Sequence, residues 1–132
     1  MGKVLATVLL IDDDPIIDFL HRKLLAKAGI VAPAITLYNG KTAIDALVKL
    51  NDQLSKNDIV LAFLDVNMPV LDGWGFLEEL ELIHPTLKFK LELYMLSSSN
   101  NPDDIQKSRK NPFVIDYLIK PLSMENIAKC FL

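Results

Sequence analysis

The sequence predicts an α/β fold in which a five-stranded parallel sheet is covered by helices on both sides. Three observations predict it. Apolar segments rich in branched residues alternate five times with stretches whose apolar residues recur at helical spacing. The segment starts recur roughly every 25 to 31 residues, the size of one strand–helix unit. The run from Ile59 to Leu64 is apolar at every position, as in a strand buried on both faces.

A chain of 132 residues suits one domain with one core, here residues 1–132. With 51% hydrophobic residues it does not have the composition of a disordered tract. The formal charge of −3 arises from interspersed acids and bases. That gives no basic footprint for nucleic acid and no polybasic patch for a membrane. Cys130 is the single cysteine, so no intrachain disulfide forms, which is compatible with a reducing compartment. The segment Met1–Ile11 is basic and then apolar, but its apolar run is short and meets Asp12, Asp13 and Asp14. Neither a signal peptide nor a spanning helix fits that pattern. A soluble, cytoplasmic domain is expected.

Taken in order, Val4 to Ile11 reads as the first strand. Pro15 is a good first helical residue, and Asp14 before it can cap the free N–H groups. Ile17, Leu20, Leu24 and Ala28 recur at helical spacing, with Gly29 as the stop. A second strand, about residues 34–38, ends at Asn39-Gly40, and Ala43, Leu47 and Leu50 mark one face of a second helix. The third strand ends at Asp65, after which Pro69 and Asp72-Gly73 break the chain into a loop. Residues 73–83 suit a third helix with Phe76, Leu77 and Leu80 inward, ended by His84-Pro85. A fourth strand lies within residues 87–96, its start blurred by Lys88 and Lys90. After the loop Ser97–Pro102, a fourth helix over about residues 103–110 has Ile105 as its one clear apolar residue. Residues 113–119 form the fifth strand, closed by Lys120-Pro121. Ser123 caps a short last helix carrying Met124, Ile127, Ala128 and Phe131. His21 and His84 are expected at the surface, since neither has a partner pattern for catalysis or metal.

Four of the five strands end in a residue with chemistry: Asp12 and Asp13, Asp65, Ser97 and Lys120. The C-terminal tips of parallel strands share one edge, where open α/β sheets bind ligands. In the strand order 2-1-3-4-5, strands one, three, four and five are consecutive neighbours, each pair about 4.8 Å apart. Three carboxylates that close repel one another and need a counter-charge. A hard divalent cation with oxygen ligands fits, and Mg2+ suits an open site that keeps waters and a phosphate. An aspartate facing a phosphoryl donor beside Mg2+ can act as nucleophile and form an acyl phosphate. A lysine and a hydroxyl nearby can take the phosphoryl oxygens. No glycine-rich phosphate loop precedes the fourth helix, so a nucleoside triphosphate site is unsupported.

Asp12-Asp13, Asp65 within Leu-Asp-Val-Asn-Met-Pro-Val-Leu-Asp-Gly, Ser97 and Lys120-Pro121 together closely resemble the receiver domain of two-component response regulators. The resemblance runs over essentially the whole chain. It implies a flavodoxin-like (βα)5 three-layer sandwich with the sheet order 2-1-3-4-5. It implies that Asp65 is the phosphoacceptor and that Mg2+ is bound by Asp13, Asp65 and the backbone carbonyl of Asn67, with Asp12 acting through water. Ser97 becomes the switch hydroxyl, Tyr117 the switch aromatic and Lys120 the phosphate-binding lysine. The Lys120–Pro121 bond is expected to be cis. Four departures stand out. Ser97 replaces the commoner threonine, the segment His84–Lys90 is long, the fourth helix is polar, and the last helix is short.

The function so implied is that of a stand-alone receiver in phosphorelay signalling. A histidine kinase or phosphotransfer protein donates the phosphoryl group, and a downstream protein reads the altered surface. Such a domain catalyses its own phosphorylation and dephosphorylation without being a multiple-turnover enzyme. Two other classes compete. A Mg2+-dependent phosphatase or phosphotransferase would use Asp65 as nucleophile on small substrates and turn over many times. A pseudo-receiver would only bind proteins, and the complete acidic set argues against it.

Overall fold

The computed structural model describes residues 4–131. The start of the N-terminal segment, residues 1–3, lies outside the described residues, as does Leu132. The elements alternate without exception: β1 (Thr7–Ile11), α1 (Pro15–Lys27), β2 (Ala34–Leu37), α2 (Gly40–Asn51), β3 (Ile59–Asp65), α3 (Gly73–Ile83), β4 (Lys90–Ser97), α4 (Pro102–Arg109), β5 (Val114–Ile119) and α5 (Met124–Phe131). The strands form one sheet in the order β2-β1-β3-β4-β5, parallel throughout. The expected flavodoxin-like order is therefore the observed one. Among the described residues, no helix is long and apolar enough to cross a membrane.

The two faces of the sheet carry separate cores. Leu9, Ile11, Val60, Ala62, Leu64, Leu93 and Met95 point to one side, where Ala43, Leu47 and Leu50 of α2 and Phe76, Leu77 and Leu80 of α3 cover them. Val8, Leu10, Leu61, Phe63, Tyr94, Leu96 and Leu118 point to the other, against Leu25 of α1 and Ile127, Cys130 and Phe131 of α5. β3 at the centre thus needs apolar residues at every position, which is why Ile59–Leu64 does not alternate. Each fully buried Leu, Val or Phe contributes roughly 1.5–3 kcal/mol, so displacing the central strand would forfeit several such contributions at once.

Local chemistry fixes the helix starts. The side chains of Asp14, Asn39, Asp72, Asn101 and Ser123 each accept a hydrogen bond from a first-turn N–H, at 2.8–3.0 Å. Gly29 has a left-handed φ of +79°, which stops α1 as its sequence position predicts. The long segment after α3 forms a 3-10 turn, His84–Thr86, before β4. Asn51 pins it from both sides: its Nδ2 donates to the Thr86 carbonyl, and its Oδ1 accepts from Lys88 N–H. Phe89 is buried there, and regular pairing begins at Lys90.

Two helices differ from their expected inner faces. On α1 the buried residues are His21 and Leu25, while Leu20 is exposed. Positions 17, 21, 24, 25 and 28 share one stripe at 3.6 residues per turn, which leaves Leu20 beside it. His21 therefore belongs to the interior, not the surface. His84 is exposed, as expected. On α5 the inner face is Ile127, Cys130 and Phe131, and Met124 and Ala128 face outward. Of the residues of α4, Ser108 is buried and Ile105 half-buried, so this helix has little apolar anchorage.

Candidate functional site: an acidic corner at the strand tips

The parallel register places the tips side by side. Ile11 pairs with Leu64, Asp65 with Leu96, and Ser97 with Ile119. Asp12 follows β1 directly and Asp65 ends β3, so both carboxylates emerge at one corner. Asp12 and Asp65 are buried, while Asp13 is exposed. Carboxylate oxygens of Asp12, Asp13 and Asp65 lie within 4.8 Å of one another. The ammonium of Lys120 reaches in from the end of β5, donating to Asp12 Oδ2 at 3.1 Å and contacting Asp65 Oδ1 at 3.2 Å. One cation thus stands against three acids.

Backbone groups hold these side chains still. Asp12 Oδ1 accepts from Asp14 N–H at 2.9 Å, and Asp65 Oδ1 from Asn67 N–H at 3.4 Å. The loop after Asp65 folds back on the strand through Gly73 N–H, which donates to the Val66 carbonyl at 2.9 Å. A Cβ at Gly73 would stand 2.6 Å from the Asp65 carbonyl oxygen, so only glycine lets α3 begin this close to β3. Gly40 N–H donates to the Leu71 carbonyl at 2.8 Å, which ties the loop to α2 as well. Within that loop, exposed Val70 takes a left-handed φ of 68°, a conformation a β-branched residue disfavours.

The electrostatics follow from burial and crowding. Asp65 has its carboxyl pushed up to about 6 from an ordinary 3.8, first by burial and then by the Asp12 carboxylate; Lys120 and Asn67 N–H pull the other way. Burial alone would lower the Lys120 ammonium, but Asp12 and Asp65 outweigh it and hold it above its ordinary value. Burial and the neighbouring Asp12 carboxylate thus raise Asp65 even with the Lys120 ammonium at 3.2 Å, so the corner would favour additional positive charge. The donor set is all oxygen, hard and open to the loop side, and that fits a small divalent cation better than a soft metal. The residues that would hold it are Asp12, Asp13 and Asp65.

The remaining predicted residues fall around this corner. Ser97, at the tip of β4, is buried, and its Oγ accepts from Ser99 N–H at 3.1 Å. It is bonded to the β4–α4 loop, not to the acids. Tyr117 on β5 is half-buried, and its hydroxyl donates to the Ser99 carbonyl at 2.9 Å. Ser97 and Tyr117 therefore grip the same residue of the same loop. Asn67 is exposed beside Asp65. The Lys120–Pro121 bond is cis, as the resemblance implies.

Sequence reasoning missed two groups near the site. His21 accepts a hydrogen bond at Nε2 from Leu122 N–H, at 3.1 Å, in a buried setting. Burial depresses its imidazole below the ordinary value, with Asp12 and Asp18 opposing and Lys120 assisting. Its position four residues after Ile17 and four before Leu25 was the available signal. Trp74, the second residue of α3, carries the Lys107 ammonium of α4 at 4.4 Å from its ring centroid. A cation–π pair between separate helices leaves no mark in the sequence pattern.

A family model described as the response regulator receiver domain matches residues 8–131. The chain belongs to that family. Among relatives of this receiver chain, a two-component response regulator of Oryza sativa subsp. japonica is 32% identical over 120 residues, covering 91% of the chain and 18% of that protein. One of Arabidopsis thaliana is also 32% identical, covering 91% and 20%. The receiver chain thus spans about a fifth of the length of these plant regulators. Of solved structures, a two-component response regulator from Cytophaga hutchinsonii superposes with a TM-score of 0.85 at 29% identity, covering 97% of this chain and 95% of that one. A response regulator receiver protein from Dyadobacter fermentans gives 0.80 at 26% identity, covering 93% and 92%.

Proposed function

We propose that the chain is a cytoplasmic receiver whose Asp65 takes a phosphoryl group from a histidine kinase or phosphotransfer protein. The observation that carries this reading is the buried Asp65 carboxylate at the tip of β3, with Asp12 and Asp13 within 4.8 Å and Lys120 at 3.2 Å. Mg2+, held by Asp13, Asp65 and the Asn67 carbonyl with Asp12 acting through water, would supply charge to offset that of the phosphoryl oxygens.

The chain's own groups supply the rest. An Asp65 carboxylate oxygen attacks phosphorus, a new P–O bond forms, and the P–N bond of a donor phosphohistidine breaks with its electron pair leaving on the imidazole. The rigid tip of β3 fixes the nucleophile, so little orientation entropy is lost at the moment of attack. Lys120, already between Asp12 and Asp65, exchanges a carboxylate contact for a phosphoryl oxygen. Ser97 releases Ser99 N–H and donates its hydroxyl to a second phosphoryl oxygen. Hydrolysis by water later restores the carboxylate, so each chain carries about one phosphoryl group rather than turning over substrate.

The donor docks beside the site, on α1. Ile16, Phe19 and Leu20 are exposed on this helix, which begins two residues after Asp13. A cluster of exposed apolar residues at the rim of a polar pocket suits a protein partner. A downstream protein reads the face formed by α4, β5 and α5, and no nucleic acid or membrane is bound directly. Acetyl phosphate with Mg2+ tests the acceptor by intact mass. Wild type gains one phosphoryl mass and Asp65→Asn gains none. Labelling of the variant at the wild-type rate would place the acceptor elsewhere, and many phosphates released per chain would make it a turnover enzyme.

A further inference from the structure

The buried imidazole on α1 does not touch the acids, yet it is bonded to the loop that carries Lys120. That loop has a short list of anchors. Lys120 N–H donates to the Ser97 carbonyl at 2.8 Å, on the β4 side. Pro121 has no N–H to offer. Leu122 N–H is the next donor along the chain, and it goes to His21 Nε2 at 3.1 Å. Leu122 itself is buried among the residues of the α1–α5 core. From Ser123 onward the backbone is engaged in capping α5. The backbone of Lys120 is therefore pinned on one side to a strand and on the other, through a single side chain, to α1.

The chemistry of that pin is specific. A ring nitrogen accepts only when it carries a lone pair, so His21 is neutral with its proton on Nδ1. At 3% exposure the imidazole is closed off from bulk solvent, so Leu122 N–H relies on this acceptor. An aliphatic side chain there would fill the space but leave the Leu122 N–H buried without a partner. The loop would then move to satisfy it, and the Lys120 ammonium would move with it.

We propose that His21 is a positioning residue for Lys120: by accepting from Leu122 N–H it ties the β5–α5 loop to α1 and so sets the ammonium between Asp12 and Asp65. The inference rests on the reading of Asp65 as phosphoacceptor. It also gives α1 a second duty. The helix whose outer face carries Ile16, Phe19 and Leu20 holds, from its inner face, the residue that meets the phosphoryl group. A partner that presses on α1 presses on Lys120 as well.

A double-mutant cycle separates this role from general support of the fold. The rate of Asp65 labelling by acetyl phosphate and Mg2+ is followed by intact mass in wild type, His21→Leu, His21→Gln, Lys120→Ala and His21→Leu/Lys120→Ala. Displacement of a positioned group by about an ångström slows reaction steeply, so His21→Leu is expected to slow labelling roughly tenfold. Gln reaches the position of Nε2 with an acceptor oxygen and is expected to restore most of the rate. On the Lys120→Ala background, His21→Leu is expected to change the rate by less than about twofold, as for a residue acting through Lys120. Equal slowing in both backgrounds, or no slowing at all, overturns the proposal. Should His21→Leu fail to fold, His21→Asn serves in its place, because its shorter side chain stays polar but does not reach Leu122. Asn labelling as fast as Gln then overturns the proposal. Wild type that gains no phosphoryl mass defeats instead the reading of Asp65 on which this rests.

Discussion

The acid corner and the α4 segment lie on neighbouring strands but are built in opposite ways. Asp65 ends a strand buried on both faces, and its loop is pinned by Gly73 to Val66 and by Gly40 to Leu71. Asp12, Asp65 and Lys120 hold one another directly. α4, by contrast, presents a half-buried Ile105 and a buried Ser108, and is tethered to α3 by Lys107 over Trp74. Between the two lie Ser97 and Tyr117, both bonded to Ser99 of the β4–α4 loop. On the proposed function, the two regions divide the work between them. Chemistry needs groups that do not move, and signalling needs an element with a low cost of moving. A phosphoryl group shifts such an equilibrium by no more than its differential interaction with the two states, so a loosely held α4 makes a small energy sufficient.

The largest expected effect comes from breaking the rigid side. Lys120→Ala removes the cation from two buried carboxylates and is expected to destabilise the metal-free protein by ~3 kcal/mol, the cost of leaving a buried charge without its partner. Mg2+ should recover much of that loss, since it supplies the missing charge. Chemical denaturation with and without Mg2+ at constant ionic strength measures both effects. An unchanged midpoint would mean that the ammonium is a solvated charge.

A smaller effect should appear with pH. Asp65 has a folded-state value of about 6, above its ordinary 3.8. A raised carboxyl favours the folded state while protonated, so its contribution is complete below about pH 4 and is lost as pH rises through about 6. The stability of wild type relative to Asp65→Asn should therefore fall across that window in metal-free buffer and level off above it. A difference independent of pH would mean that neither burial nor Asp12 raises the Asp65 carboxyl.

The smallest effect belongs to the loose side. Lys107→Met keeps the chain length of the tether but removes its charge, at a cost of about 0.5–1 kcal/mol for a cation–π pair near the surface. That cost should show as faster amide exchange within residues 102–110, with global stability little changed. Equal acceleration in β3 would mean that α4 is part of the core unit and would erase the contrast between the two regions.

The fold was legible because burial leaves a pattern. Ile59–Leu64, Leu47 with Leu50, and Phe76 with Leu77 and Leu80 each reported their environment through spacing. The corner was legible because its residues end strands: Asp12, Asp65 and Lys120 all follow apolar runs. What was not legible is what depends on pairs far apart in the chain. His21 was expected at the surface because a histidine on a helix carries no sign of its acceptor role, and its donor is a backbone N–H at Leu122. Lys107 over Trp74, and Asn51 bridging Thr86 and Lys88, are likewise contacts between segments whose separate sequences are unremarkable. Leu20 and Met124 misled for a different reason. Helical spacing locates an apolar stripe, but the residues at its edges stay exposed unless another element covers them.

On the proposed function, a rigid corner at Asp65 drives a loosely held α4 through Ser97 and Tyr117. Amide NMR spectra with and without beryllofluoride, a mimic of the phosphoryl group, in the presence of Mg2+ test it most directly. The predicted result is a set of shift changes that runs from Asp65 through Ser97 and Tyr117 across residues 102–120, while amides in the middle of β1 and β3 stay in place. Changes confined to the loops at Asp12, Asp65 and Lys120 would contradict the account, leaving an acceptor site with no route to α4.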